Sequence, residues 1–304
     1  MDKKELMMES YPDLLQARLE KRERERDRHL PNYVNGNISQ LVIDDLKLWR
    51  VGILSVSFRG GDSALHKKIA EVANIWSQFG NITFDFGHDP QTGGHRLWTP
   101  GDTSHIRVGF DQEGYWSLVG TDSSDTQIVA PGEITLNLSG FDNGLPPDWK
   151  SVVLHEFGHA LGFHHEHQSP EYACDFDWPK VYDYLGGPPN YWPKWKVDHN
   201  LRQLKQGNLT FSAHDRNSIM HYSFPAWMFL SGEKSQCYTK ENHELSQEDK
   251  NMMAEAYPME EGNIKKLDAH RMDNLESLVK NKELTKNMRE LHKNHLDYYR
   301  QCQR

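Results

Sequence analysis

Apolar and polar positions divide the chain into a patterned middle and two charged ends. Leu54, Val56 and Phe58 alternate with other residues, as do Ile82, Phe84 and Phe86, then Ile106, Val108 and Phe110, then Ile134, Leu136 and Leu138. A period of two is that of a half-buried strand, so each set predicts one. Residues 115–119 predict a further strand ending at Gly120. Between the first two strands, Leu65, Ile69, Val72, Trp76 and Phe79 recur at spacings of three and four, the core stripe of a helix. Asp62 or Ser63 is placed to cap its start and Gly80 to end it. A sheet with a backing helix is therefore expected over the first half of the chain.

A second helix is predicted after Pro146-Pro147, with Asp148 as candidate N-cap. It carries His155-Glu156-Phe157-Gly158-His159. On a helix, His155 and His159 lie one turn apart on one face, with Cβ atoms ~5–6 Å apart. Two imidazole nitrogens can then reach one Zn²⁺ at ~2.0–2.1 Å. Glu156, one residue along, is rotated about the axis and can stand over a zinc-bound water. His165 follows His155 by ten positions, which a continuous helix would turn into a separation of ~15 Å. One metal could not hold both, so the chain must turn back, and Gly162 sits where the turn is needed. His164 and His167 compete for the third position with a poorer spacing, and are read as groups behind the ligands or facing solvent. Without Gly162 and His165, the short motif would also describe two ordinary histidines on a helix surface, though less well than a metal pair.

The ends look different. Residues 20–28 alternate Glu and Arg or Lys at close spacing, predicting a solvated helix laced with i,i+4 pairs, or no fixed structure. Pro31-Asn32 and Asn35-Gly36 then break it. Ile264, Leu267, Leu275, Leu278, Leu284, Met288 and Leu291 form a loose helical stripe in a charged background, suited to packing back on the domain or to self-association. A hydrophobic content of 37% and a mean hydropathy of -0.80 fit a chain whose length is partly polar extension. The net charge of -9 argues against a nucleic-acid binder. No apolar run approaches the ~18–20 residues of a membrane span. The first ten residues lack an apolar stretch with a small-residue cleavage site, so the expectation is a cytoplasmic protein, the alternative being secretion by a non-standard route or a chain trimmed of its leader. Cys174, Cys237 and Cys302 make no framework and are expected as free thiols in a reducing compartment, a Cys174–Cys237 bridge being the other reading. Four Asn-x-Ser/Thr sequons, at Asn37, Asn81, Asn137 and Asn208, are then chance matches.

The run from His155 to His165 resembles the metzincin zinc signature HExxHxxGxxH, and with Glu166 after the third histidine it is similar to the astacin family. Ser218-Ile219-Met220-His221-Tyr222 resembles the astacin Met-turn, and Leu245–Lys250, running to Tyr257-Pro258, resembles the end of such catalytic domains. The resemblance spans roughly residues 46–258 and leaves a charged extension over 1–45 and a helical charged extension over 259–304. It implies an α+β zincin fold: a twisted mixed β-sheet with two main helices in the N-terminal subdomain, and a largely irregular C-terminal subdomain. It also implies a zinc-dependent endopeptidase with one catalytic Zn²⁺ on His155, His159 and His165. Glu156 would be the general base, Met220 the hydrophobic floor and Tyr222 a switchable ligand that swings to hydrogen-bond the oxyanion. A peptide substrate would add as an extended strand beside the edge strand, which the resemblance places at residues 132–138; a plain core strand suits that segment equally well. The alternative is a zinc-binding but inactive peptide- or protein-binding module. The chain departs from secreted astacins in showing no clear propeptide aspartate switch, since Phe58-Arg59-Gly60-Gly61-Asp62 reads as a turn. The 45 or so preceding residues also sit badly with Glu166 tying down a mature N-terminus. It looks closer to a minimal branch such as microbes carry. Substrate preference and oligomeric state are not readable.

Overall fold

The alternating segments of the first half pair because each buries one row of side chains and satisfies its backbone in a ladder. The computed structural model describes residues 10–27, 43–44, 47–170, 172–188, 190–204, 209–210, 214–282 and 284–302. Pro31-Asn32, Asn35-Gly36 and the sequons at Asn37 and Asn208 lie outside them. Along the chain come α1 (Asp13–Asp27), β1 (Ile43–Asp44), β2 (Ile53–Arg59), α2 (Ser63–Ala73), β3 (Thr83–Asp85), β4 (Ile106–Gly109), β5 (Tyr115–Ser117) and β6 (Leu136–Leu138). Then follow α3 (Trp149–Ala160), α4 (Trp178–Gly186), α5 (Lys194–Leu201), β7 (Leu209–Thr210), α6 (Gln247–Ala256), α7 (Glu261–Lys280) and α8 (Lys286–Cys302).

Five strands form one sheet in the order β3-β2-β4-β6-β5. β2 runs parallel to β3 and β4, and β4 parallel to β6, while β5 is antiparallel to β6. This is a mixed α/β fold of the expected type. β1 and β7 make a separate antiparallel pair. One prediction needs correcting: the segment before α3 is not the edge. β6 lies between β4 and β5 with all three residues buried, and β5 is the edge strand instead. Being last in the strand order, β5 has a strand neighbour, β6, on one side only.

α2 and α3 supply the apolar face that closes the sheet. Asp62 is the cap of α2, its carboxylate accepting from Leu65 N–H at 2.8 Å. The helix ends at Ala73, and Trp76 and Phe79 continue its stripe on a short 3₁₀ turn. Leu65, Ile69, Val72 and Trp76 join Leu54, Val56, Phe58, Ile106 and Val108 in one core with Val153, Leu154 and Phe157 of α3. Asp148 stands at the N-cap position of α3, yet its side chain caps nothing, because its backbone (φ -96°, ψ 13°) is not extended.

The charged run near the N-terminus is a helix, as expected, but only partly solvated, since Arg22 is buried. α1 buries Leu15 and Leu19 against Trp116, Leu118, Ile128 and Ile134. Arg22 donates to Asp125 at 2.7 Å with both side chains buried, and Arg18 reaches Glu133 at 2.6 Å. Tyr11 donates to the carbonyl of Ser117 on the edge strand at 2.8 Å. Charge alternation predicted pairing within the helix, and Arg24 does meet Glu20 at 3.4 Å, but Arg22 and Arg18 find partners over a hundred residues away in sequence. At the other end, Leu275 meets Leu296, and Leu278 meets Leu284 and Met288, so α7 and α8 pack on each other. No helix of the described residues is long and apolar enough to cross a membrane.

Between residues 172 and 238, regular structure is sparse and aromatic packing replaces it. Phe176, Trp192, Phe224, Met228 and Phe229 form a second core with Val181, Leu185 and Cys237. Cys174 and Cys237 are bridged, with Cα atoms 5.5 Å apart. The expectation of free thiols fails for these two: their separation of 63 positions hides a contact made by folding.

Candidate metal centre

α3 brings His155, Glu156 and His159 to its buried side, with Glu156 and His159 each 2% exposed. The helix then stops where it must. Gly162 takes φ 106°, its N–H donates to His159 O at 2.8 Å, and Phe163 N–H donates to Gly158 O at 3.1 Å. These two bonds are a Schellman cap, the ending that a left-handed glycine allows. The last carbonyls are also held: Trp49 donates to Ala160 O at 2.7 Å, and Tyr257 to Leu161 O at 2.5 Å. The reversed chain places His165, 8% exposed, back over the helix.

The result is convergence. His159 Nε2 lies 3.1 Å from Nε2 of His155 and 3.1 Å from Nε2 of His165. Two ligands at ~2.0–2.1 Å around a tetrahedral zinc would be ~3.3–3.4 Å apart, so this spacing fits one zinc ion. The outer nitrogens are engaged elsewhere. Nδ1 of His155 donates to Ile219 O at 2.7 Å, Nδ1 of His159 to Phe163 O at 2.7 Å, and Nδ1 of His165 to Gln168 Oε1 at 3.2 Å. Each bond fixes the tautomer that leaves Nε2 with its lone pair inward, which is what a metal ligand requires. Gln168 is itself oriented by donating to His199 O at 2.9 Å. Nothing in the sequence marked Gln168 beyond its place three residues after His165.

Below the triad lies the turn at residues 218–222. Met220 is fully buried, and a Cβ on Gly158 would meet its Sδ at 2.4 Å and the Trp76 ring at 3.1 Å. Gly158 is therefore glycine so that the methionine can lie against the helix between the two ligand histidines, a requirement that leaves no pattern in the local sequence. The turn is anchored by Asp249, also fully buried, which accepts from Ser218 Oγ at 2.7 Å, Ile219 N–H at 2.9 Å and Ser246 N–H at 2.8 Å. Ser246 accepts from Asp249 N–H in return, a capping box at the start of α6. Burial pushes the Asp249 carboxyl up, and these three bonds pull against it. The Ser246–Asp249 pattern is thus the tie between the turn and α6.

The Tyr222 ring packs on His165 with centroids 4.4 Å apart and on His155 at 5.5 Å. Glu166 is fully buried; its backbone N–H donates to Met220 O at 3.0 Å, and its Oε1 accepts from Asp215 N–H at 3.0 Å. His167 is buried rather than solvent-facing, bonded to Asn200 O at 3.0 Å, and burial holds its imidazole well below its ordinary range. Burial also raises the Tyr115 phenol on the edge strand, followed by the nearby Asp148 and Glu156 carboxylates.

A solved structure similar to this chain is that of myroilysin, 34% identical, with 72% of this chain and 99% of that chain covered at a TM-score of 0.61. The chain belongs to the astacin-type zinc metalloproteases. Among curated astacin-type relatives, zinc metalloproteinase nas-2 of Caenorhabditis elegans is 30% identical over 116 residues, 38% of this chain and 34% of the relative. Zinc metalloproteinase nas-27 of the same organism is 27% identical over 177 residues, 58% of this chain and 34% of the relative. The chain thus spans about a third of the length of these two relatives. No family model matches it. The metal of this astacin-type protein is zinc, and His155, His159 and His165 form a group that could bind one such ion.

Proposed function

We propose that the protein is a zinc-dependent endopeptidase in which His155, His159 and His165 hold the metal and Glu156 is the general base. The observation that carries this reading is the meeting of three Nε2 atoms with their tautomers set by three separate acceptors. When bound, zinc would supply Lewis acidity to a water and to the scissile carbonyl. Glu156 takes the proton of the attacking water and returns it to the leaving amine. Glu156 stands on α3 at only 2% exposure. Tyr222 lies against two of the three histidine rings, and its hydroxyl donates to the oxyanion as the carbonyl becomes tetrahedral. A peptide lies extended beside β5, taking backbone hydrogen bonds from the strand where Tyr11 does not already engage Ser117. The Cys174–Cys237 bridge supports secretion over the cytoplasmic expectation, since such bridges persist where thiols are not kept reduced.

The test is metal analysis of the oxidised protein together with cleavage of a peptide library. One zinc per chain is expected, and Glu156→Gln should keep it while losing about 10²–10⁴-fold in cleavage rate. Stoichiometric zinc with no Glu156-dependent cleavage would sink the peptidase reading and leave a binding module.

A further inference from the structure

Among the described residues, a second group brings metal-ligating atoms together: His214, His221 and Cys237, whose ligand atoms all lie within 4.8 Å of one another. Its two imidazoles are prepared as the catalytic ones are. His214 Nε2 lies 2.6 Å from Gln236 O and His221 Nδ1 lies 2.8 Å from Tyr222 O. A carbonyl only accepts, so each of these nitrogens carries the hydrogen and the opposite nitrogen carries a lone pair. Those opposite nitrogens, His214 Nδ1 and His221 Nε2, are buried and have no hydrogen-bond partner among the described residues. His221 is only 4% exposed. One ring nitrogen of each imidazole and the Cys237 sulfur lie within 4.8 Å of one another, and a carboxylate oxygen, Glu166 Oε1, lies 3.9 Å from His214 Nδ1. Such a cluster calls for a positive occupant or for a bridging water.

Cys237 decides between these. Its sulfur is bonded to Cys174, and a disulfide sulfur is a poor donor with no charge to offer. As a thiolate it would complete two imidazoles and a sulfur, a ligand set suited to zinc. We propose that His214, His221 and Cys237 form a redox-gated second site for a divalent cation of the zinc type, assembled when the Cys174–Cys237 bridge is reduced. In the gating step a dithiol gives two electrons and two protons to the S–S bond, yielding two thiols and its own disulfide. The Cys237 thiol then releases its proton to solvent as the sulfur–metal bond forms. The site requires no sulfur from the catalytic triad, and it lies next to it in the chain. His221 stands between Met220 and Tyr222, and Glu166 follows His165, so occupancy would bear directly on the turn beneath the first metal.

Cobalt titration of the full chain tests this, because a thiolate–Co²⁺ pair absorbs in the near ultraviolet and the three catalytic histidines contain no sulfur. Protein reduced with a phosphine should take up one more equivalent of Co²⁺ than oxidised protein and gain the thiolate band. Reduced His214→Ala should lose both the band and that equivalent. Cys174→Ser, which leaves Cys237 unbridged, should show the band without reductant, and Cys237→Ser should not show it at all. Equal uptake by oxidised and reduced protein would overturn the proposal and leave a bridging water between the imidazoles. A band that survives His214→Ala and Cys237→Ser would assign the sulfur to Cys174 or Cys302 and overturn it equally. The difference of one equivalent is readable whether or not the triad binds cobalt.

Discussion

His155 and His159 ride on α3, whose buried face packs on a mostly parallel sheet through Val153, Leu154 and Phe157. His165, Met220 and Tyr222, by contrast, stand on segments with almost no regular structure. The first half of the centre is positioned by many interchangeable apolar contacts and by helix geometry. The second half is positioned by a few specific ties: Asp249 to the 218–222 turn, Glu166 to Asp215 and Met220, and the Cys174–Cys237 bridge. Apolar packing degrades gradually, whereas a polar tie fails when one partner goes. The two halves should therefore respond differently to single changes.

Asp249→Ala should have the largest effect on stability. It strands Ser218 Oγ, Ile219 N–H and Ser246 N–H in a dry interior and removes the N-terminal tie of α6, at roughly 4 kcal/mol. Urea unfolding gives the loss, and zinc affinity should fall with it, since Ile219 O orients His155. A variant as stable as the parent would mean the ties are not what holds the second half. Reducing the bridge, which spans 63 positions, should lower stability by about 2–4 kcal/mol while peptide cleavage survives at low temperature. Melting curves with and without reductant check it; loss of zinc from the triad on reduction would place the bridge in the first half's support as well.

Gly158→Ala tests the contact between the halves. Its Cβ would meet Met220 Sδ at 2.4 Å, so the methionine must shift, at about 1–3 kcal/mol. The adjacent Met220→Leu change, which conserves volume but branches earlier, should recover part of that loss in a double mutant. Additive losses would show that the two side chains do not share the space. Acid should probe the first half most gently. His66, stacked on Phe58 with centroids 4.0 Å apart, is held below the ordinary imidazole value by burial, partly offset by the Gly60 carbonyl and Asp62. The unfolded chain binds a proton near pH ~6.5 that the native state resists. The contribution of His66 is thus complete above that pH and is lost as pH falls, at no more than about 1.4 kcal/mol per pH unit. Melting of zinc-free protein between pH 7.5 and 5 should be less steep in pH for His66→Phe than for the parent; equal slopes would remove His66 from the account.

The same division explains what could be read ahead of the structure. Every predicted strand and both helices of the first half are present, because period-two and period-three-and-four patterns are local and record which face is buried. The turn at Gly162 was legible for the same reason: two ligands ten positions apart cannot share a metal along a straight helix. Gln168, Gly158 and the bridge were not legible, because each is defined by a partner 31 to 63 positions away and leaves no periodic trace. The docking of α1 was misread on similar grounds, since alternating charges look solvated until Asp125 and Glu133 are brought beside them.

What the amino-acid order determined by itself was the local chemistry: a helix carrying two imidazoles and a carboxylate, a glycine to reverse it, and a third imidazole to follow. Tertiary structure alone decided which strand is the sheet's edge and which carbonyls set the histidine tautomers. It also decided which cysteines meet, and that two further imidazoles come close together beside one of them. Those outcomes depend on contacts between distant segments, and only the folded chain sums the energies that select them.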